Sequence, residues 1–446
     1  MNLRSKINNL VSDSRKSQQS TLNLDEKKIN NILIEIKNKI LDKKINYQLS
    51  KLAVEETKFG NIEDKIEKNN NKTLNLVNYL LDENLLSKKK IIEKNIYEIY
   101  KPVGLICGVT PSTNPIATPL NYILNSIKSR NAIILCPNPR AFETCFKLVA
   151  LIKDVLLKLK ISENLVNVAP KELLRGNEII DLFNLSDLNI VTGNKSFISR
   201  VKISNKPYLI FGVGNPPIII DNKNELKKIS KSIIESKSFD YSTSCSADSV
   251  LIIDNKIYEN FLNELKNQNT YILKKNEKKE FDKLYFVKGT INQKIIAKSP
   301  NIILNMINIK IKKKIKLIGY EVSSDIKEHF ILDEKILPLI GIIKSKNFDQ
   351  SVEIAKNILK VNGIGHSAGI YSDDINKINK FAENMPVSRI IVNQPNSKSA
   401  GGNKNNDLKT TLSLGCGYWA GNILNENLSL KHFCNITRIV FKKTKD

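Results

Sequence analysis

Apolar and polar positions alternate along the first hundred residues with a helical period. Between 24 and 41, Ile29, Ile32, Leu33, Ile36 and Ile40 recur at spacings of three and four, which predicts an amphipathic helix. The stretch 51–69 (KLAVEETKFGNIEDKIEKN) continues the pattern and breaks near Gly60, so residues 22–100 read largely as helices. From about Ile96 the texture changes. Short β-branched runs at 104–109, 131–136, 165–168, 188–191 and 208–211 alternate with helical stretches such as 141–159. A second alternating unit runs from about Phe239 to Val392, with strands at 249–253, 336–343, 368–371 and 389–392 and a helix over 350–360. The lysine-rich stretch 267–315 shows no clear period. The end, 433–441, reads as a strand, and 95–100 is its candidate partner in a protruding hairpin. Strand and helix in this rhythm predict parallel sheets covered on both faces. Ligands of such sheets lie at the C-terminal strand ends, which directs attention to the loops after Val109, Cys136, Val191 and Phe211.

Length and composition narrow the class. With 446 residues the chain exceeds one small core, and two or three domains are expected. No apolar run approaches the ~18–20 residues of a membrane span, and the start lacks the apolar segment of a secretory signal. A cytoplasmic protein with no membrane partner is expected. The net charge of +25 raises the question of nucleic acid. The lysines, however, are spread along the chain among Asn and Ile, and no basic run is interleaved with aromatic residues as a base-stacking surface requires. The reading is a solvated basic surface without a nucleic-acid partner, one that attracts anionic substrates. Six scattered cysteines without a CxxC pair, and three isolated histidines, predict neither disulfides nor a metal site.

Six stretches are candidates for chemistry. In FDYSTSCSADSV (239–250), Cys245 sits among small residues that would let a carbonyl reach its sulfur; the competing reading is a small polar loop before a strand. In VTPSTNP (109–115), a rigid turn could aim the Asn114 amide at a developing oxyanion, or simply cap a helix. YLIFGVGNPPIII (208–220) begins like a dinucleotide fingerprint with Gly212 and Gly214. Pro217 occupies the third glycine position and a strand follows, so the ordinary fingerprint fails. VTGNKSFISR (191–200) puts Thr192 and Gly193 at a strand–helix junction, where backbone N–H groups can hold a pyrophosphate. His366 in GIGHSAG is catalytic or structural. Cys416 in the glycine-rich stretch 411–427 is a second nucleophile candidate, or marks a tight backbone path.

In order, these motifs resemble the CoA-acylating branch of the aldehyde dehydrogenase superfamily. That branch includes the acylating sulfoacetaldehyde dehydrogenases and the aldehyde half of bifunctional aldehyde–alcohol dehydrogenases. The similarity runs from about Leu52 to Arg438, through GVTPSTNP, RNAIILCPNPRA, VTGNKSF, GVGNPP, the cysteine loop, EKILPL, GIGHSAGIYSDD and LGCGYWAGN. The resemblance implies NAD or NADP as cofactor and coenzyme A as co-substrate. It implies Cys245 as nucleophile, Asn114 and the Cys245 N–H as oxyanion donors, and His366 beside the incoming CoA thiol. Thr110, Pro111 and Ser112 would line the nicotinamide and ribose, Asn138 and Pro139 the adenosine, and Thr192 and Gly193 the pyrophosphate. Gly212 and Gly214 would lie on the cofactor side, and Glu334 would hold the nicotinamide ribose. The hydrolytic branch carries a glutamate that activates water; the corresponding FGVGNPP has no acid, so an arriving thiol is expected to win. Ile210, Asp248–Ser249, Tyr418 and Ala420 depart from the usual residues and bear on substrate size and cofactor fit. The TSCS loop and PSTNP turn, with the basic composition, point to sulfoacetaldehyde; acetaldehyde or another short aldehyde is the alternative. Other readings are a hydrolytic aldehyde dehydrogenase, a glutamyl-phosphate-reductase-like enzyme and a basic nucleic-acid-binding protein.

The expected fold is α/β, aldehyde dehydrogenase-like: two parallel-sheet, Rossmann-like domains plus a small β oligomerisation arm. The divisions are N-terminal helices of the cofactor domain (1–91), the hairpin arm (92–102), the cofactor-binding domain (103–237), the catalytic cysteine domain (238–417) and a C-terminal segment (418–446). A homodimer or homotetramer is expected.

Overall fold

Four helices open the chain: Leu3–Thr21, Glu26–Leu41, Lys43–Thr57 and Ile62–Asp82. Each starts on a side chain that accepts from a first-turn N–H, namely Asn2, Asp25, Asp42 and Asn61; these caps satisfy donors a helix leaves orphaned. The computed structural model describes residues 2–84, 90–93, 95–193, 195–288, 290–325 and 329–443. The five apolar positions expected on one face of the second helix are all buried. The break near Gly60 has a local cause: its φ is +74°, and a Cβ there would lie 1.8 Å from Asp240 Oδ1. The fourth helix buries a mixed face, with Lys65, Lys68, Asn69 and Thr73 preceding Leu76, Val77 and Leu80.

The first sheet has five parallel strands in the spatial order Val166–Val168, Ala132–Pro137, Leu105–Thr110, Leu188–Thr192, Tyr208–Phe211. Its two central apolar runs, LICGVT and AIILCP, are buried at every position, as expected where helices cover both faces. Strand order reverses between Leu105–Thr110 and Leu188–Thr192, and the crevice at such a switch point is where α/β sheets bind ligands.

The second sheet has seven parallel strands, in the order Thr270–Ile272, Leu317–Val322, Leu339–Ser345, Val250–Asp254, Pro217–Ile220, Ala368–Tyr371, Ile390–Val392. This corrects one division. The expected cofactor domain ran to residue 237, but Pro217–Ile220 pairs with Val250–Asp254 and Ala368–Tyr371 of the second sheet. The chain therefore crosses over at 212–216, where GVGNP ends the preceding strand. The run PIII is as apolar as its predecessors, so periodicity alone does not say which sheet it joins.

The third sheet is antiparallel: Ile96–Pro102 lies between Lys90–Glu93 and Cys434–Val440, with Cys434 opposite Pro102 and Val440 opposite Ile96. The stretch 267–315 resolves into a short strand, the helix Lys275–Tyr285, a ribbon of two two-residue strands (Phe286–Val287 and Thr290–Ile291) and the helix Pro300–Asn305. No helix among the described residues is long and apolar enough to cross a membrane.

Candidate active site

A cavity of about 750 Å³ opens at the switch point of the first sheet and faces the cysteine loop of the second. Its wall brings together Pro111, Ser112 and Asn114 after the first strand, Asn138 and Pro139 after the second, and Thr192 and Gly193 after the fourth. Gly212, Glu334 and Cys245 complete it. The Asn194 of VTGNKSFISR lies outside the described residues.

Three of the expected residues are not on this wall. Thr110 is buried just behind Pro111. His366 is fully buried behind Cys245, with Nε2 3.3 Å from its Sγ. Gly214, assigned to the cofactor side, is instead packed on the cysteine loop: a Cβ there would lie 1.9 Å from the Cys245 carbonyl oxygen. Its smallness lets the cysteine loop close over the 212–216 crossing. Cys416 is also buried, its Sγ directed at the Leu414 carbonyl 3.5 Å away, and it backs Gly212 rather than the cavity.

The segment before the cysteine is held in an unusual conformation. Asp240, Tyr241 and Ser242 have φ of 50°, 48° and 66°, a run of left-handed non-glycine residues that persists only where its surroundings dictate it. Asp240 is the anchor. Its Oδ2 accepts from Lys65 Nζ at 3.0 Å, Lys68 Nζ at 2.6 Å and Thr243 Oγ1 at 2.7 Å, and its Oδ1 from the Asn61 N–H at 3.1 Å. Burial alone would raise its pKa, but Lys68 and Lys65 outweigh burial and hold it below the usual carboxylate value.

Lys68 does more than neutralise Asp240. Its ammonium also donates to Asn114 Oδ1 at 2.9 Å. An ammonium only donates, so this contact fixes the amide oxygen toward the helix and leaves the Asn114 N–H groups for the cavity.

The charge state of the thiol pair follows from burial. His366 is pushed down to about 3 by burial and then by Arg389, whose guanidinium donates to the His366 carbonyl at 2.7 Å. Cys245 is pushed up to about 12 by burial, then by Glu334 and Cys416. Glu334 is itself raised to about 7 by burial, and accepts from the Gly214 N–H at 3.3 Å. At neutral pH the pair is a thiol beside a neutral imidazole, not a thiolate–imidazolium pair.

The wall chemistry suits a phosphorylated nucleotide. Arg140 and Arg175 reach the cavity, and the buried hydroxyls of Thr118 on the wall and Thr110 behind it have no protein partner. Among the described residues no group of three metal-ligating side chains converges. A cavity of about 920 Å³ near Asn61, Lys231 and Lys314 contains none of the expected site residues.

Lys65, Lys68, Asp240, Thr243 and Arg389 were not singled out from sequence. The available signal was the DKIEKN spacing, which sets two lysines on the inward face of a helix, and the aspartate five residues before the cysteine.

The chain as a whole is similar to known proteins. The model of the aldehyde dehydrogenase family matches residues 3–309. A sulfoacetaldehyde dehydrogenase of an Acholeplasma species is 31% identical over 437 residues, covering 97% of this chain and 90% of that protein. The succinate-semialdehyde dehydrogenase (acetylating) of Clostridium kluyveri is 32% identical over 392 residues, covering 87% and 86%. The crystal structure of an acetylating aldehyde dehydrogenase from Geobacillus thermoglucosidasius superposes with a TM-score of 0.91 at 29% identity, covering 99% of this chain and 97% of that one.

Proposed function

The chain belongs to the aldehyde dehydrogenase family, and on that premise we propose that it oxidises sulfoacetaldehyde to sulfoacetyl-CoA through a thioester on Cys245, with NAD or NADP as acceptor. The observation that carries the reading is the cavity wall: a thiol 3.3 Å from a buried neutral imidazole, the Asn114 amide on the same wall, and Glu334 as the one carboxylate among the described residues of the wall.

Cys245 Sγ adds to the aldehyde carbon as its proton passes to His366 Nε2, which is free to accept it because it is neutral. The Asn114 Nδ2–H and the Cys245 N–H hold the oxygen that becomes negative. A bound nicotinamide would supply the hydride acceptor; Pro111, Ser112 and Glu334 would hold its ribose, Asn138 and Pro139 the adenosine, and Thr192 and Gly193 the pyrophosphate. As the carbonyl reforms, Cys245 carries an acyl thioester. No acid stands in FGVGNPP to activate water, so the thioester persists while His366 gives up its proton to solvent; a CoA thiol then displaces Cys245, the thiol proton passing by way of His366 to the departing Cys245 sulfur. The outer strand Cys434–Val440 and the arm join copies of the chain.

The test is NAD(P)H formation with sulfoacetaldehyde, with and without CoA, in the wild type and Cys245→Ala. CoA-dependent turnover lost in the variant is expected. Turnover without CoA would replace acyl transfer by hydrolysis, and activity surviving in Cys245→Ala would remove the nucleophile.

A further inference from the structure

A second cavity, of about 640 Å³, lies on the far side of Asn114 and Leu412 from the first, and both residues line both spaces. Ser244, the neighbour of Cys245, is on its wall. A small molecule filling it therefore has one end at the Asn114 amide and the cysteine loop. The helix Ile62–Asp82 forms one side and presents Lys68 and Lys72, one turn apart.

The charges on this wall do not all find partners. Lys398 is paired with Glu67 at 3.2 Å and Glu235 at 2.6 Å, which uses both acids of the wall. Lys68 is paired with Asp240. Lys404 is exposed at the rim. Lys72 remains. Its ammonium donates to the Gly402 carbonyl at 3.1 Å and the Gly401 carbonyl at 3.4 Å, and no carboxylate among the described residues pairs with it. Burial, and then the charge of Lys68, hold its pKa down to about 8, so at neutral pH it is still mainly an ammonium. A half-buried charge without a counterion is costly, and such charges are ordinarily paired. Carbonyl dipoles compensate in part; a full negative charge is the missing partner.

We infer that Lys72 is the seat for an anionic substituent, a sulfonate or a carboxylate, carried by the aldehyde that reaches Cys245 through this second cavity. The inference rests on Cys245 as the reacting thiol. It names the cation that would separate short anionic aldehydes from neutral ones of similar size. The competing role for Lys72 is a tether that fixes the Gly401–Gly402 turn through its two carbonyl contacts. Lys72→Gln separates the two, since the amide keeps a donor for the carbonyls and loses the charge; Lys72→Arg keeps the charge.

Steady-state kinetics would be measured with sulfoacetaldehyde, succinate semialdehyde, acetaldehyde and butanal for the wild type and both variants. The expected result is a loss of kcat/KM of about tenfold or more in Lys72→Gln for the sulfonate, the carboxylate or both, with the neutral aldehydes within about twofold and Lys72→Arg retaining most of the preference. The larger loss identifies which anion the site takes. Equal losses on charged and neutral aldehydes would make Lys72 a tether, and no loss on either anion would remove it from the substrate path. A second measurement is independent of turnover: calorimetric binding of isethionate and of 4-hydroxybutyrate to the Cys245→Ala protein. Weaker binding of either in Cys245→Ala/Lys72→Gln supports the seat even if Cys245 proves not to be the nucleophile; binding of neither, or equal binding in both proteins, overturns it.

Discussion

At the residue scale, the site turns on two side chains whose states are set by neighbours. Asn114 can stabilise an oxyanion only if its amide hydrogens point at it, and the Lys68 contact at 2.9 Å excludes the flipped amide. Lys68→Met should therefore lower kcat, by no more than the ~10²–10³-fold that follows loss of an oxyanion donor outright. Lys68 acts on Asn114 directly and on the cysteine loop through Asp240, so Lys68→Met should cost less in an Asn114→Ala background than alone, the rest of its loss being carried by Asp240; losses that multiply in full would remove the link to Asn114. The thiol supplies a second prediction. With Cys245 pushed up to about 12 and His366 down to about 3, the thiolate fraction of the ligand-free enzyme should climb roughly tenfold per pH unit across pH 6–9. Iodoacetamide alkylation should show that rise; a plateau from pH 6 upward would mean a preformed ion pair. Glu334, the second cause of the raised thiol after burial, is ionised above about 7. Glu334→Gln should accordingly alkylate faster than the wild type at pH 8.

At the element scale, the helix Ile62–Asp82 and the cysteine loop form one device. Lys65 and Lys68 clamp Asp240, which holds the run of left-handed residues before Cys245, and Gly60 leaves room for the aspartate. Asp240→Asn removes the carboxylate paired with two buried ammonium groups, and a loss of about 3–5 kcal/mol in unfolding free energy is expected from denaturant titration. The sign with pH follows from the lowered pKa of Asp240. Its contribution is complete above the ordinary carboxylate value of 3.8 and is lost as pH falls below it, because the unfolded chain takes up the proton first. Wild type should lose its margin over Asp240→Asn in acid; a constant margin would place the stabilisation elsewhere. This device also marks where sequence reading stopped. Periodicity found the helix Glu26–Leu41 because its buried face is Ile and Leu throughout. It could not find the inward face of the fourth helix, whose first two turns bury two lysines and an asparagine: the lysines pair with Asp240 of the distant cysteine loop, and Asn69 pairs with Asn46 and Ser50.

At the scale of the whole molecule, most strands were legible because central parallel strands are continuous apolar runs. Their assignment to sheets was not, as Pro217–Ile220 shows, since an apolar run matches either core equally well. The cofactor-side wall was legible through loops that follow strands, whereas Lys72 and the second cavity depend on how the two sheets face each other. The arm poses the remaining question at this scale. Cys434–Val440 pairs on one edge with Ile96–Pro102, and its other edge has no partner among the described residues. Ile436, Val440 and Phe441 are 41%, 68% and 51% exposed on or beside it. An open strand edge bearing apolar side chains is a template for another strand, and a second copy of this chain offers the same edge for antiparallel, two-fold pairing. Light scattering after gel filtration at micromolar protein should give a dimer or tetramer for the wild type. Ile436→Lys combined with Val440→Lys should shift it to smaller species while leaving the Cys245 site, which neither residue lines, able to turn over. A monomeric wild type would refute assembly itself, and an unshifted oligomer would move the contact to another face.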